Sequence, residues 1–163
     1  WGLAFAPGGK TLASADAAGW VRFWDVVRGK QTASFKGVRG SAPCIAFAPN
    51  GKTLVSVGPI GTLQLWDVDT GREKASFDPD QGRHRAVCLA SGPDGKVLAA
   101  GTETGLIELR DARTFKLLAA VPAHRHAIVA IGFSPDGKRL VTGGERLAKL
   151  WDVAKLLGQR AER

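Results

Sequence analysis

The sequence has no methionine and no tyrosine, only two cysteines, and 15 acidic residues against 23 lysines and arginines. Two cysteines are too few for a disulfide-stapled scaffold or a cysteine-built zinc module. No apolar run approaches the roughly 18 residues a membrane helix needs. The longest, at 117–121 and 127–133, have the length of strands. No charged-then-apolar leader opens the chain, so neither membrane contact nor export is expected. Missing, too, is any nucleophile arrangement of Ser, His and Asp and any carboxylate pair distinct from the acids of turns. Catalysis is therefore not expected. The missing methionine, with residue 1 already inside a repeat, leads to the expectation of a fragment.

What is present is a repeat. The stretch from Phe47 to Asp67, FAPNGKTLVSVGPIGTLQLWD, is echoed from Phe5 to Asp25, from Ser91 to Asp111 and from Phe133 to Asp152. Its prolines fall at Pro7, Pro49, Pro93 and Pro135, spacings of 42, 44 and 42 residues. A period of that size marks an array of supersecondary units, each too small to bury its own apolar faces.

Within each unit, short apolar runs rich in β-branched and aromatic residues alternate with Gly-containing turns, which predicts hairpins. In the first, Leu3–Phe5, Thr11–Ser14, Val21–Trp24 and Gln31–Phe35 are predicted strands. The second has Asn50-Gly51 in its first turn, one of the strongest hairpin signals. The third is the most degenerate: Ser91 replaces the strand Phe, and Arg110 stands where the others have Trp. The fourth shows no fourth strand. Each period is predicted to be a four-stranded antiparallel meander, giving an all-β fold.

Trp24-Asp25, Trp66-Asp67 and Trp151-Asp152 each lie 16 or 17 residues after a proline-led Gly-Lys turn. In these residues the chain resembles WD-repeat β-propellers, and the Ser134-Pro135-Asp136-Gly137-Lys138 wording is similar to bacterial members. The resemblance runs from Leu3 to Val153. It implies four blades: 1–36, truncated at its N-terminal end; 37–78; 79–121; and 122–153, without an outer strand. Residues 154–163 follow as a tail, which can either cap the last blade as a short helix or fray; fraying is the expectation. It also implies a tetrad in each blade of His, Ser/Thr, a turn Asp and Trp. Only His124 stands at the histidine position, with Val38 and Gly82 at its equivalents. Ala18, Ile60, Thr104 and Glu145 stand at or near the turn Asp. No tetrad is complete, so packing against neighbours must carry more of the stability. Propellers of this family usually have about seven blades, and exposed sheet edges need covering. Four blades are expected to form an open arc, the C-terminal half of a larger propeller. Alternatively, two copies close an eight-bladed ring as a homodimer.

Apparent chemical motifs reduce to turns. Gly9-Lys10-Thr11 and Gly51-Lys52-Thr53 resemble the end of a phosphate-binding loop, but the upstream glycine is Ala4 or Ala46. The segment 14–20 resembles a sialidase Asp-box only once and off pattern. Asp69-Thr70-Gly71 resembles a quinoprotein docking motif, yet Phe77 stands in the region of the tryptophan that motif requires. His84, His124 and His126 lack the further ligands a zinc site needs. No cofactor or metal is expected. Cys44 and Cys88 fall on inner strands of adjacent blades, too far apart to bridge. Both are expected to be buried thiols, which favours a reducing compartment and a cytoplasmic location.

Charge is the functional signal. The formal net charge is +8, and part of it collects before each inner strand: Lys36 and Arg39, then Arg83, His84 and Arg85, then His124, Arg125 and His126. The resemblance places these loops on the peptide-binding face, where a basic rim suits acidic or phosphorylated segments. The expected function is a non-catalytic scaffold for a protein or peptide partner. A regulatory or targeting module of a larger bacterial kinase or protease is the alternative. Nucleic acid is the weaker reading, since Trp24, Trp66 and Trp151 read as structural rather than as a stacking surface.

Overall fold

A computed structural model describes residues 2–36, 44–58, 61–77, 84–144 and 146–159. The fold is all-β apart from one short C-terminal helix, and its strands form four antiparallel sheets. The first sheet holds β1 (Gly2–Phe5), β2 (Thr11–Ala15), β3 (Trp20–Asp25) and β4 (Lys30–Lys36). The second holds β5 (Ile45–Phe47), β6 (Thr53–Val57), β7 (Leu63–Asp67) and β8 (Glu73–Phe77). In the third are β9 (Ala86–Ser91), β10 (Val97–Thr102), β11 (Leu106–Asp111) and β12 (Leu117–Pro122). The fourth has three strands, β13 (Ala130–Phe133), β14 (Arg139–Gly143) and β15 (Ala148–Asp152). Strand order follows chain order in every sheet, so each is the expected meander, a propeller blade. Among the described residues no helix is long and apolar enough to cross a membrane.

Three features of the repeat make these hairpins. Gly9, Gly51, Gly95 and Gly137 occupy equivalent turn positions with φ of 70°, 65°, 78° and 70°, a region that Cβ disfavours. The residue before the last three is Asn50, Asp94 or Asp136, and its Oδ1 accepts the amide of Lys52, Lys96 or Lys138 at 2.9–3.0 Å. After the third strand the repeated Asp closes the next turn: the carboxylates of Asp25, Asp67 and Asp111 accept the amides of Arg28, Thr70 and Thr114 at 2.9, 2.9 and 2.7 Å. These Asx-type bonds are the local reason for Asp at that position. In the last repeat the same bond runs from Lys155 N to Asp152 at 3.1 Å and caps a helix, α1 (Val153–Gly158). The expected fraying is thereby corrected as far as residue 159: α1 buries Val153 and Leu156 and packs on β12 and β15.

The chain divides into two compact units, Trp1–Gly82 and Arg83–Arg163, each with two sheets. In the first unit Phe47, Leu54 and Trp66 form one cross-strand row of the second sheet. They pack on the row Ala4, Ala13 and Phe23 of the first, joined by Val21 and Phe35. Phe23 meets Phe47 edge to face at 6.2 Å, and Phe35 tilts over Trp66 at 5.3 Å. Small alanines opposite large rings let the sheets approach, and each wholly buried Leu or Phe contributes about 1.5–3 kcal/mol. In the second unit β13 packs on β9 and β10, burying Ile128 and Leu140 completely. Cys88 is buried as expected, with its thiol donating to the Ile128 carbonyl at 3.0 Å, whereas Cys44 is only half-buried.

The third sheet departs from the others in a coupled way. Where its neighbours pair a Trp with a Ser or Thr, it has Arg110 and Ala100. Arg110 turns instead to Glu108, with Nη2 and Nε donating to one carboxylate oxygen at 2.7 and 3.1 Å, and its Nη1 donates to the Phe115 carbonyl at 3.2 Å. Both side chains are at most 5% exposed, so neither charge can fall back on water. Replacing Arg110 by leucine strands the Glu108 carboxylate and is expected to cost about 3–5 kcal/mol. The double variant Glu108→Leu/Arg110→Leu should lose much less. Urea unfolding of the two variants separates these outcomes, and equal losses would contradict the account.

Candidate functional site

The three repeat tryptophans are structural. Trp24 Nε1 donates to Ser14 Oγ, Trp66 Nε1 to Ser56 Oγ and Trp151 Nε1 to Thr142 Oγ1, each at 2.9 Å. An indole N–H can only donate, so a hydroxyl on the adjacent strand satisfies it. Asp25, Asp67 and Asp152 close turns or cap the helix, as described. Asp67 has its carboxyl held well below the usual range, first by the Lys74 ammonium and then by Thr70.

The missing tetrads are partly rebuilt, from aligned residues in the third and fourth sheets and from a residue off the aligned position in the first. In the fourth sheet His124 Nε2 lies 2.8 Å from Thr142 Oγ1, so His, Thr and Trp form a continuous chain of hydrogen bonds. In the first, Asp16, two residues before Ala18, closes the turn. It accepts the amides of Ala18 and Trp20 at 2.9 and 3.0 Å and the Arg22 guanidinium at 2.6 Å. In the third, His84 reaches Thr104 Oγ1 at 3.1 Å, and Thr104 in turn lies 3.0 Å from Thr102 Oγ1. Ile60, Val38, Gly82 and Glu145 lie outside the described residues.

The basic residues singled out by the sequence do not form one kind of environment. Arg39 and Arg83 lie outside the described residues. Lys36 is at the end of β4 rather than in a loop. It is exposed, its Nζ 5.9 Å from the centroid of the half-buried Trp20, which also carries the Arg22 guanidinium at 5.7 Å. In the second unit the geometry is tighter. Gly105, in the turn between β10 and β11, offers its carbonyl to the amides of Ala123 and His124 at 2.9 and 3.0 Å. A Cβ on Gly105 would collide with the His124 carbonyl. His84 binds Thr104 on the same turn, so the loop of His84 and Arg85 and the loop of His124, Arg125 and His126 are both tied to residues 104–105. Arg85, Arg125 and His126 are exposed, and His84 and His124 are half-buried.

Three residues absent from the sequence reading complete this region. Arg146, Leu147 and Lys149 join His124, Arg125 and His126 around a cavity of about 240 Å³. Lys149 donates from Nζ to the Ala123 carbonyl and sits 5.8 Å from the Trp151 ring centroid. The available signal was positional: two residues before the repeat Trp stand Arg22, Gln64, Glu108 and Lys149, a site that varies in charge while its neighbours repeat. Among the described residues no salt bridge involves Arg85, Arg125, Arg146 or Lys149.

Against known proteins, the family model described as WD domain, G-beta repeat matches residues 1–25 and 115–152. No curated protein matches the chain.

Burial, and after it the Lys149 charge, holds the His124 pKa below the ordinary histidine value. The unfolded chain therefore binds this proton more readily than the folded one. The associated stability is complete above the unfolded value and is lost as pH falls through the folded value. His124→Gln is expected to flatten the dependence of thermal stability on pH between about 7 and 5. An unchanged slope in unfolding curves across that window would assign the titration to another group.

Proposed function

Because the chain is built of WD repeats folded as propeller blades, we propose that it works as a non-catalytic platform holding an acidic or phosphorylated protein segment against its basic loops. Propellers of this family generally serve as protein-interaction scaffolds. The observation that carries the finer reading is the pairing of two basic loops on one turn, with exposed guanidinium groups that no carboxylate answers among the described residues. Arginines kept unpaired at a surface are available for bidentate bonds to carboxylate or phosphate. The anchoring of both loops on 104–105 supports a preorganised surface, which lowers the cost of ordering on binding. By this reading Arg85 and Arg125 make direct contacts.

The double variant Arg85→Glu/Arg125→Glu is expected to weaken capture of a labelled acidic peptide at least about tenfold, and raising salt should weaken the wild type in the same direction. Fluorescence anisotropy measures both. Affinity untouched by the charge reversal would remove the proposal.

Self-association is a second reading, favoured by two exposed apolar rows. Phe5, Leu12 and Trp24 form on the first sheet the row that Phe47, Leu54 and Trp66 form on the second, where the Phe23 row covers it. Phe5 is 61% exposed and Leu3, two residues earlier, 69%. On the fourth sheet Gly132, Val141 and Leu150 repeat the Phe23 row, with Leu150 68% exposed. One row is the complement of the other, so two copies can cover each other's open faces. Light scattering behind a sizing column is expected to give twice the mass of the chain at micromolar concentration, and Phe5→Glu to halve it. A monomer at every concentration would sink this reading.

A further inference from the structure

The cavity beside the last blade concentrates more positive charge than the fold uses. Arg125, His126 and Arg146 are exposed around it, Lys149 closes one side, and Leu147, 52% exposed, is its apolar wall. Among the described residues, Lys149 has a hydrogen bond in the fold that accounts for its position, to the Ala123 carbonyl, and no side-chain bond of Arg125, His126 or Arg146 does so. The two histidines do not make a metal site: His124 Nε2 is engaged with Thr142, and among the described residues no three ligating side chains converge.

The donor set discriminates between anions. A carboxylate brings one charge and two oxygens, too little for two guanidinium groups, an ammonium and an imidazole. A phosphate monoester brings about −1.5 to −2 charge and three terminal oxygens, and each guanidinium can meet it with two parallel N–H donors. The space, about 240 Å³, takes a phosphoryl group with the first atoms of the side chain that carries it. The partner's backbone would then remain outside the cavity.

We infer that this cavity is a phosphomonoester site that reads a phosphorylated side chain of a partner protein, with Arg125 and Arg146 as its principal donors and Leu147 as the wall for the attached carbon chain. The inference rests on the reading of the basic loops as a docking surface and adds to it the chemical group recognised. Lys149 serves as fixed positive charge, and the His124–Thr142–Trp151 chain holds the floor of the site in place. His126, on the loop's outer side, supplies the remaining donor.

The test uses phenyl phosphate as a probe that carries the monoester without a peptide, and benzoate as its carboxylate counterpart. Phenyl phosphate is expected to shift the His126 ring resonances saturably in NMR titrations, with affinity at least about tenfold above that for benzoate. Arg125→Gln and Arg146→Gln should each weaken it by about tenfold or more, while the Trp151 indole N–H signal stays in place as evidence of an intact blade. Equal binding of the two probes, or indifference to both substitutions, overturns the inference. A thymidine oligonucleotide that binds more tightly than a phosphoserine peptide, with the same dependence on Arg125 and Arg146, overturns it in favour of a nucleic-acid backbone. If phenyl phosphate fails while acidic-peptide capture still depends on Arg85, the platform stands without this site. If both fail, both are withdrawn.

Discussion

A four-stranded meander with two apolar faces cannot bury either of them by itself, and the rest of the molecule follows from that constraint. In the first unit it is met by laying the Trp66 row on the Phe23 row, large rings opposite the methyl groups of Ala13 and Ala15. The strands are short, so each sheet gains little from its own hydrogen bonds alone. Stability comes from stacking, and the loops are carried on its edges. The turns can therefore vary in sequence, provided their Asp and Gly positions hold, without disturbing the packed rows.

The polar bonds serve that stacking rather than compete with it. Trp66 puts its ring into the packed layer, and each repeat Trp puts its single N–H onto a hydroxyl one strand away, which leaves that donor satisfied. Where a histidine is also within reach, as at Thr142, the same hydroxyl ties the preceding loop to the sheet. A loop fixed this way holds the backbone from which an exposed side chain such as Arg125 projects. The chemistry of the basic surface thus rests on buried hydroxyls several residues away from it.

Most of the fold was legible in the sequence because its signals were local and repeated. The Gly-Lys turns, the Trp-Asp pairs and the regular spacing of the prolines fixed strand number and order, down to the missing fourth strand of the last sheet. The helix after Asp152 was legible only as the less favoured of two alternatives: six residues give too weak an apolar period, and the Asp that starts it is the same one that elsewhere closes a turn. The candidate site was only partly legible. His84, Arg85, His124, Arg125 and His126 were singled out because they precede inner strands, but Arg146, Leu147 and Lys149 come from the following hairpin, and pairing of β13 with β14 brings that hairpin's turn beside the loop. Asp16 was missed for a related reason: the repeat alignment marks one turn position, while a short polar side chain two residues away can satisfy the same amides.

The Glu108–Arg110 pair has a consequence for how such a repeat changes over generations. The residues that stand where the other sheets have Trp and a hydroxyl depend on each other, since either charge alone in that interior is penalised. Installing the Trp–hydroxyl pair there takes substitutions at Ala100, Glu108 and Arg110, and the single steps that remove one charge cross a valley of lowered stability. The third repeat is in that sense entrenched: its centre can change at little loss only when both charges leave together.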